Sequence, residues 1–577
     1  MEHDAEVLRG GLWRQRTPTW QDVAAVAIVL SLLLLLGLGV RQMVAPLVIE
    51  HQPEISLSPA ALPIYALRTT LRMLAALVAS LLFTFTYATL AAKSRRAEMI
   101  LIPLLDVLQS IPILGYLSFT VLFFVALFPG SVLGPELAAI FAIFTSQAWN
   151  MAFSLYQALR TVPHDLEEAS RSFRMSGWQR FWRLEVPFAM PGLIWNTMMS
   201  MSGGWFFVVA SEAIAVGDLQ INLPGVGSYV AQAIEARDLI AVGWAIAAMS
   251  ATILIYDQLL FRPLVAWADK FRFEQTAAQT APHSLIQNVF RQSRFVRKAG
   301  RSLGIGMDRA TRARLSPLFV LPPFKWPLSR RGGDVLWLAL IAICVAWIIW
   351  RLVDYGGATL SPADIGRAVI DGLITLVRVA VLIVIATLVW VPIGVAVGLR
   401  PKLAEKVQPV AQFLAAFPAN LLFPPAVFLI VHFDLDAEIW LSPLMILGTQ
   451  WYILFNVIAG ATAFPSDFRE AAASFRVQGW RWWRDVMLPG IFPYYVTGAI
   501  TASGGAWNAS IVSEAVNWGS QRIAATGIGA YIADRTEAGD FPRIALGIAV
   551  MSVLVVACNR LIWRPLYALA ARRTRLD

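Results

Sequence analysis

Apolar residues run through this chain in blocks of about 20, the length that crosses a bilayer as an α-helix, and polar residues collect between the blocks. The pattern predicts six such helices in each half. In the first half they cover residues 22–43, 65–91, 99–128, 137–160, 187–215 and 239–267. In the second they cover 334–353, 367–399, 406–432, 438–462, 489–516 and 541–570. Several blocks carry Pro and Gly (Pro112, Gly115, Pro392, Gly394, Pro418, Pro424 and Pro425), so kinks are expected there. The first block is longer than a signal-peptide core and lacks a convincing cleavage site, so it reads as a retained helix. The expected fold is an all-α polytopic membrane protein with about 12 transmembrane helices.

The two halves are copies of one module. Adding 302 maps Pro163 to Pro465, Glu168 to Glu470, Phe173 to Phe475, Arg174 to Arg476 and Gly177 to Gly479. The same offset carries Trp149 to Trp451, Ser211-Glu212-Ala213 to Ser513-Glu514-Ala515, Gly225 and Gly227 to Gly527 and Gly529, and Arg262-Pro263 to Arg564-Pro565. Six spans is an even number, so both copies cross in the same direction. The expected arrangement is a pseudo-two-fold axis along the membrane normal with a pathway between the copies.

Composition fits a membrane protein: 58% of the 577 residues are hydrophobic and 15% are charged. The net charge of +10 is not a nucleic-acid signal, because the basic residues sit between apolar blocks. Lys and Arg collect in every second loop, notably Lys93, Arg95 and Arg96, the segment 270–333, and Arg572, Arg573 and Arg575. The positive-inside rule puts these, and both termini, in the cytoplasm. Segments 129–136, 216–238 and 517–540 then read as outer loops. Cys344 and Cys558 lie in apolar blocks and form no metal or disulfide pattern.

The repeated segments 163–187 and 465–489 fall on the cytoplasmic side. Asp165 and Asp467 stand where N-caps are expected, with Glu168 and Glu470 three residues on in capping-box position. The helix is expected to end near Gly177 or Gly479, with interfacial aromatics following. Caps alone do not explain why two aqueous loops return one pattern; a shared docking surface does. These loops resemble the EAA loop of ABC-importer permeases: Glu470-Ala471-Ala472 with Leu488-Pro489, and Glu168-Ala169-Ser170 with Val186-Pro187. The family's loop glycine is Arg174 in one copy and Arg476 in the other, so its turn has to form otherwise, with Gly177 and Gly479 available.

The resemblance implies a coupling helix in each loop, with Asp165, Glu168, Ala169, Phe173, Arg174 and Gly177, and Asp467, Glu470, Ala471, Phe475, Arg476 and Gly479, facing a nucleotide-binding subunit. It implies two tandem six-helix permease domains. Residues 1–64 would be a tail, first helix and outer loop, 65–269 the first permease domain, and 270–333 a basic cytoplasmic linker. Residues 334–366 would hold the second half's first helix and outer loop, and 367–577 the second permease domain. The chain has no G-x-x-x-x-G-K-[ST] stretch, so it is not expected to be an enzyme. ATP and Mg would sit on two cytoplasmic ABC ATPase subunits, with an extracytoplasmic binding protein and membrane lipids as further partners, in a bacterial inner membrane. The SEAI and SEAV stretches at 211–214 and 513–516 are similar to the nitrate, sulfonate, taurine and bicarbonate class, which implies a small oxyanion or sulfonate as cargo.

Charges inside spans are the remaining candidates. A lone one at the bilayer centre costs about 2.5–3.5 kcal/mol on insertion scales, so pairing or water is expected. Arg72 with Glu212 and Arg378 with Glu514 could pair as an outer gate; the alternative leaves each in interfacial water. Trp205, Trp507, Ser211, Ser513 and Asn508 either line a substrate path or pack helices, with Gly203-Gly204 and Gly504-Gly505 permitting close approach. Two rivals stay open: a secondary transporter with parallel repeats, and a membrane component of an ABC-type complex with a non-import role.

Overall fold

Pro59 and Pro63 open the first described helix, where their missing N–H groups cost nothing. A computed structural model describes residues 55–268 apart from 218, scattered positions between 304 and 350, and residues 359–574 apart from 465. The expected helix 22–43, most of 334–353 and most of the linker 270–333 lie outside the described residues. Helix α1 (Leu62–Lys93) stops at Ser94, whose hydroxyl accepts the Ala97 N–H and so caps α2 (Arg95–Leu108).

The expected span 99–128 is two helices rather than one. α2 and α3 (Ile113–Leu127) meet at 104°. Pro112 holds the position before α3 in an extended conformation and cannot continue the preceding ladder. After α4 (Leu133–Arg160) come α5 (His164–Ser172), α6 (Gly177–Arg180), a π-helical turn, and α7 (Val186–Glu212). The first copy closes with α8 (Val226–Glu235), α9 (Leu239–Tyr256), a second π-helical turn and α10 (Arg262–Ala268).

The second copy opens on α11 (Pro362–Gly398), started by a Ser361–Asp364 capping box. α12 (Pro401–Ala416) and α13 (Phe423–His432) are bent by 82°, with Pro418 at the break. The expected span 438–462 is also interrupted: α14 (Ala437–Trp440) and α15 (Gln450–Thr462) flank a 3₁₀ turn holding Pro443. Then follow α16 (Ser466–Ser474), α17 (Gly479–Trp482), a π-helical turn, α18 (Leu488–Ser513), α19 (Ile528–Glu537), α20 (Phe541–Cys558) and α21 (Arg564–Thr574). The repeat persists in the irregularities: π-helical turns at 181–185 and 257–261 recur at 483–487 and 559–563.

Among the described residues, five helices are long and apolar enough to cross a membrane, or up to eight if each bent pair is one span. α7 and α18 are long but carry Ser, Thr, Asn and Gly where a lipid-facing helix carries large apolar groups. The fold is also not purely helical. Segments 216–238 and 517–540, expected as loops, hold structure. β1 (Ala213–Val216) pairs antiparallel with β2 (Leu219–Asn222), matching Ala213 with Asn222, and β3 (Ala515–Trp518) pairs with β4 (Gln521–Ala524). Gly217 and Gly519 open the two-residue turns at positive φ, which the twist of such hairpins demands.

The chain divides into two compact units. One takes in residues 1–44, 154–198 and 254–327, and so carries α5 and α6. The other takes in 45–153, 199–253 and 328–577. In this second unit one apolar core draws Ile113, Leu117 and Val121 of α3 together with Val379 and Ile383 of α11, Ile453 of α15 and Met551 of α20. Ile370, Val377, Val381, Val384 and Leu388 of α11 are exposed, an apolar face suited to lipid. Both hairpin turns also belong to this unit, and each rests on the opposite copy. The Gly217 N–H donates to the Thr536 carbonyl (3.1 Å), and the Gly519 N–H donates to the Ile234 carbonyl (3.0 Å). The two contacts are one contact made twice, since the 302 offset carries Gly217 to Gly519 and Ile234 to Thr536.

Candidate functional site

Each repeated loop is a nine-residue helix that stops at a sharp reversal. α5 ends in a Schellman motif: the Met175 N–H donates to the Ser170 carbonyl (3.1 Å) and the Arg174 N–H to the Arg171 carbonyl (2.9 Å). α16 repeats it, with Val477 to Ala472 (2.9 Å) and Arg476 to Ala473 (3.0 Å). The residue at the reversal has to be left-handed, and there Arg174 has φ +50° and Arg476 φ +52°. The turn thus forms at the arginines and the helix ends before them, earlier than the expected stop near Gly177 and Gly479. Gly479 is also at positive φ, and starts α17.

The N-termini differ from expectation too. Pro163 is the N-cap of α5 and offers no side-chain cap, so Asp165 lies inside the first turn, and Asp467 lies likewise in the first turn of α16. Both still favour the helix dipole. Glu168 pairs with His164 at 3.4 Å across one turn on a highly exposed surface, so it is not a capping-box partner; that motif occurs instead at Ser176 and Gln179. Ser170 and Ala472 point inward and are buried, while Ala169 and Ala471 lie on the same short helices. Phe173 and Phe475 stand 75% and 82% exposed at the tips.

The second constellation is a pair of ion clusters, the first buried and the second partly open to solvent. Arg72 of α1 is fully buried. Its Nε and Nη2 donate to Glu136 (2.6 and 2.7 Å), and its Nη1 to Glu212 (2.6 Å) and the Pro224 carbonyl (3.1 Å). Glu212 also accepts from Thr69 Oγ1 (2.7 Å) and from the Gly227 N–H (2.6 Å), so it caps α8 from the end of α7. The second copy matches. Arg378 of α11 donates to Glu438, to Glu514 (3.2 Å) and to the Thr526 carbonyl (2.6 Å); Glu514 accepts from Thr375 Oγ1 and the Gly529 N–H (both 2.8 Å). This explains the repeated Gly-x-Gly. A Cβ on Gly225 would lie 2.2 Å from the Glu212 carboxyl carbon, and one on Gly227 2.2 Å from the Val209 carbonyl oxygen.

Each cluster lies wholly within one copy, so neither bridges the two. The third acids, Glu136 and Glu438, obey the same 302 offset but sit at the edge of an apolar block, where a charge reads as loop. Trp205, Trp507, Ser211 and Ser513 are buried to 2% exposure or less. Asn508 is half-buried and its Oδ1 accepts the Ile113 N–H (2.7 Å) at the start of α3, joining the two copies within the second unit. Among the described residues no group of three His, Cys, Asp or Glu side chains is placed to hold a metal ion.

Two long helical copies with matching polar loops define a class, a polytopic membrane protein built from two like modules. The family model for the binding-protein-dependent transport system inner membrane component matches residues 82–262 and again 389–576, and the chain belongs to that family. It is similar to the bicarbonate transport system permease protein CmpB of Synechococcus elongatus, with 27% identity over 261 residues, 41% of this chain and 90% of that one. It is also similar to the nitrate import permease protein NrtB of Leptolyngbya laminosa, with 24% identity over 33% of this chain and 64% of that one. The glycine betaine/proline betaine permease ProW of Escherichia coli shares 35% identity over 24% of this chain and 36% of its own.

Proposed function

We propose that this chain is the whole transmembrane part of an ATP-driven importer, two permease domains fused in one polypeptide. Two ABC ATPase subunits engage α5 and α16 from the cytoplasm, and ATP and Mg are bound there. A binding protein delivers cargo at the hairpin end, and alternating access moves it between the copies about a pseudo-two-fold axis. In this reading both termini are cytoplasmic, the chain crosses the membrane about 12 times, and the ion clusters act as clamps that keep each bundle rigid rather than as a gate. The cargo is a small oxyanion or sulfonate, by analogy with relatives named for bicarbonate and nitrate.

The observation that carries this is the pair of α5 and α16 tips, each with the same left-handed arginine and the same exposed phenylalanine. A secondary transporter with parallel repeats gives those tips nothing to do. The test is co-purification. Phe173→Ser and Phe475→Ser should each reduce the ATPase recovered with the full chain several-fold, with the melting temperature of the chain alone unchanged. ATP-dependent uptake of labelled nitrate and bicarbonate into liposomes then reads cargo. Wild-type levels of bound ATPase in the double variant would sink the reading.

A further inference from the structure

The linker is chemically lopsided: residues 270–333 carry thirteen Lys and Arg against Glu274 and Asp308. Its lone Asp is used. Arg183 Nη2 donates to Asp308 Oδ1 at 2.8 Å, and Arg312, one helical turn on, donates to Asp308 Oδ2 at 2.6 Å. Gln179 is used at both ends: its Oε1 accepts the Ser176 N–H (3.0 Å) and its Nε2 donates to the Arg312 carbonyl (2.9 Å). The capping box at the start of α6 therefore aims the amide at the linker.

The second copy cannot repeat this. Adding 302 turns Ser176 into Gln478, Gln179 into Arg481 and Arg183 into Asp485. Gln478 makes no side-chain cap, and Asp485 already pairs with Arg484 at 2.7 Å. Asp485 would repel Asp308, and Arg481 would repel a basic segment. The neighbouring tryptophans differ as well: Trp178 is half-buried, while Trp480 is 72% exposed.

We infer that the linker braces the first coupling element through Asp308 and Arg312, a contact whose partner residues the second copy has replaced, so that the two coupling elements offer different surfaces. An exposed ion pair is weak on its own, but covalent tethering makes the docking intramolecular and so sustains it. The Arg312 hydrogen bond, with Arg183 beside it, also holds the Asp308 carboxyl below its usual range. Only the consequence for an ATPase rests on the importer reading.

The experiment uses the full chain in membranes, with Cys344 and Cys558 replaced by Ala. Under mild oxidant, Arg183→Cys with Asp308→Cys should cross-link efficiently, and Asp485→Cys with Asp308→Cys should not. In a second arm, Arg183→Asp should speed chymotryptic cleavage of the linker several-fold, and the swap Arg183→Asp with Asp308→Arg should restore protection. Equal cross-linking at 183 and 485, or cleavage indifferent to Arg183→Asp, overturns the brace. Neither arm needs ATP or a partner, so failure here leaves the importer reading standing, and failed ATPase co-purification leaves the brace standing.

Discussion

Arginine is a poor choice for a left-handed turn, costing about 1 kcal/mol or more where glycine costs little. Arg174 and Arg476 both accept that strain. Arg174→Gly should therefore raise the thermal stability of the chain while weakening ATPase recovery if the guanidinium meets the partner; melting and co-purification read the two separately. The ion clusters give a graded prediction. Arg72 is fully buried between Glu136 and Glu212, whereas the Arg378 side chain is 12% exposed and its partner Glu438 is 47% exposed. Removing one member of a buried cluster leaves stranded charge, worth about 3–5 kcal/mol. Arg72→Met should abolish recovery of monodisperse protein, and Arg378→Met should lower its melting temperature only modestly. Equal effects would falsify the assignment of the second cluster as the wetter one. The pairings Arg72–Glu212 and Arg378–Glu514 were legible because charges in apolar blocks need partners. The left-handed arginines were not, because their conformation is imposed by a Schellman motif that any residue can be forced to complete.

At the scale of elements, the repeated Gly-x-Gly is a packing requirement. Gly227→Ala and Gly529→Ala would each drive a methyl into a backbone carbonyl, at 2.2 Å from Val209 and 2.3 Å from Ser510. Each should cost about 1–3 kcal/mol of stability, as overpacking does, and Gly243→Ala, in open space, should cost little; thermal melts in detergent compare them. Helix positions were readable from the apolar blocks, yet the breaks were sharper than kinks. Pro112 and Pro418 turn their chains by 104° and 82° because short helices on either side have their own contacts to satisfy. The hairpins were hidden for a different reason. β1 is Ala-Ile-Ala-Val, continuous in hydropathy with α7, so its first three residues read as the end of a helix.

At the scale of the molecule the duplication was plain in the residues, and the structure extends it to hairpins, π-helical turns and ion clusters. What the repeat could not reveal was the contact that Gln179 and Arg183 make with Arg312 and Asp308, which Arg481 and Asp485 cannot copy. It also could not reveal that the hairpin turns interlock. Arg237 Nη2 donates to Ser520 Oγ at 3.2 Å beside one of these contacts, so Arg237→Cys with Ser520→Cys should form a disulfide between the copies in the full chain. A mass shift after cleavage in the linker, absent in either single variant, checks it. The interlock has a mechanical consequence. Each copy's strand turn is bonded to the other's helix end, so parting one contact drags on its twin. Separation at that rim would proceed as a single cooperative event, with no stable intermediate in which one side has let go and the other still holds.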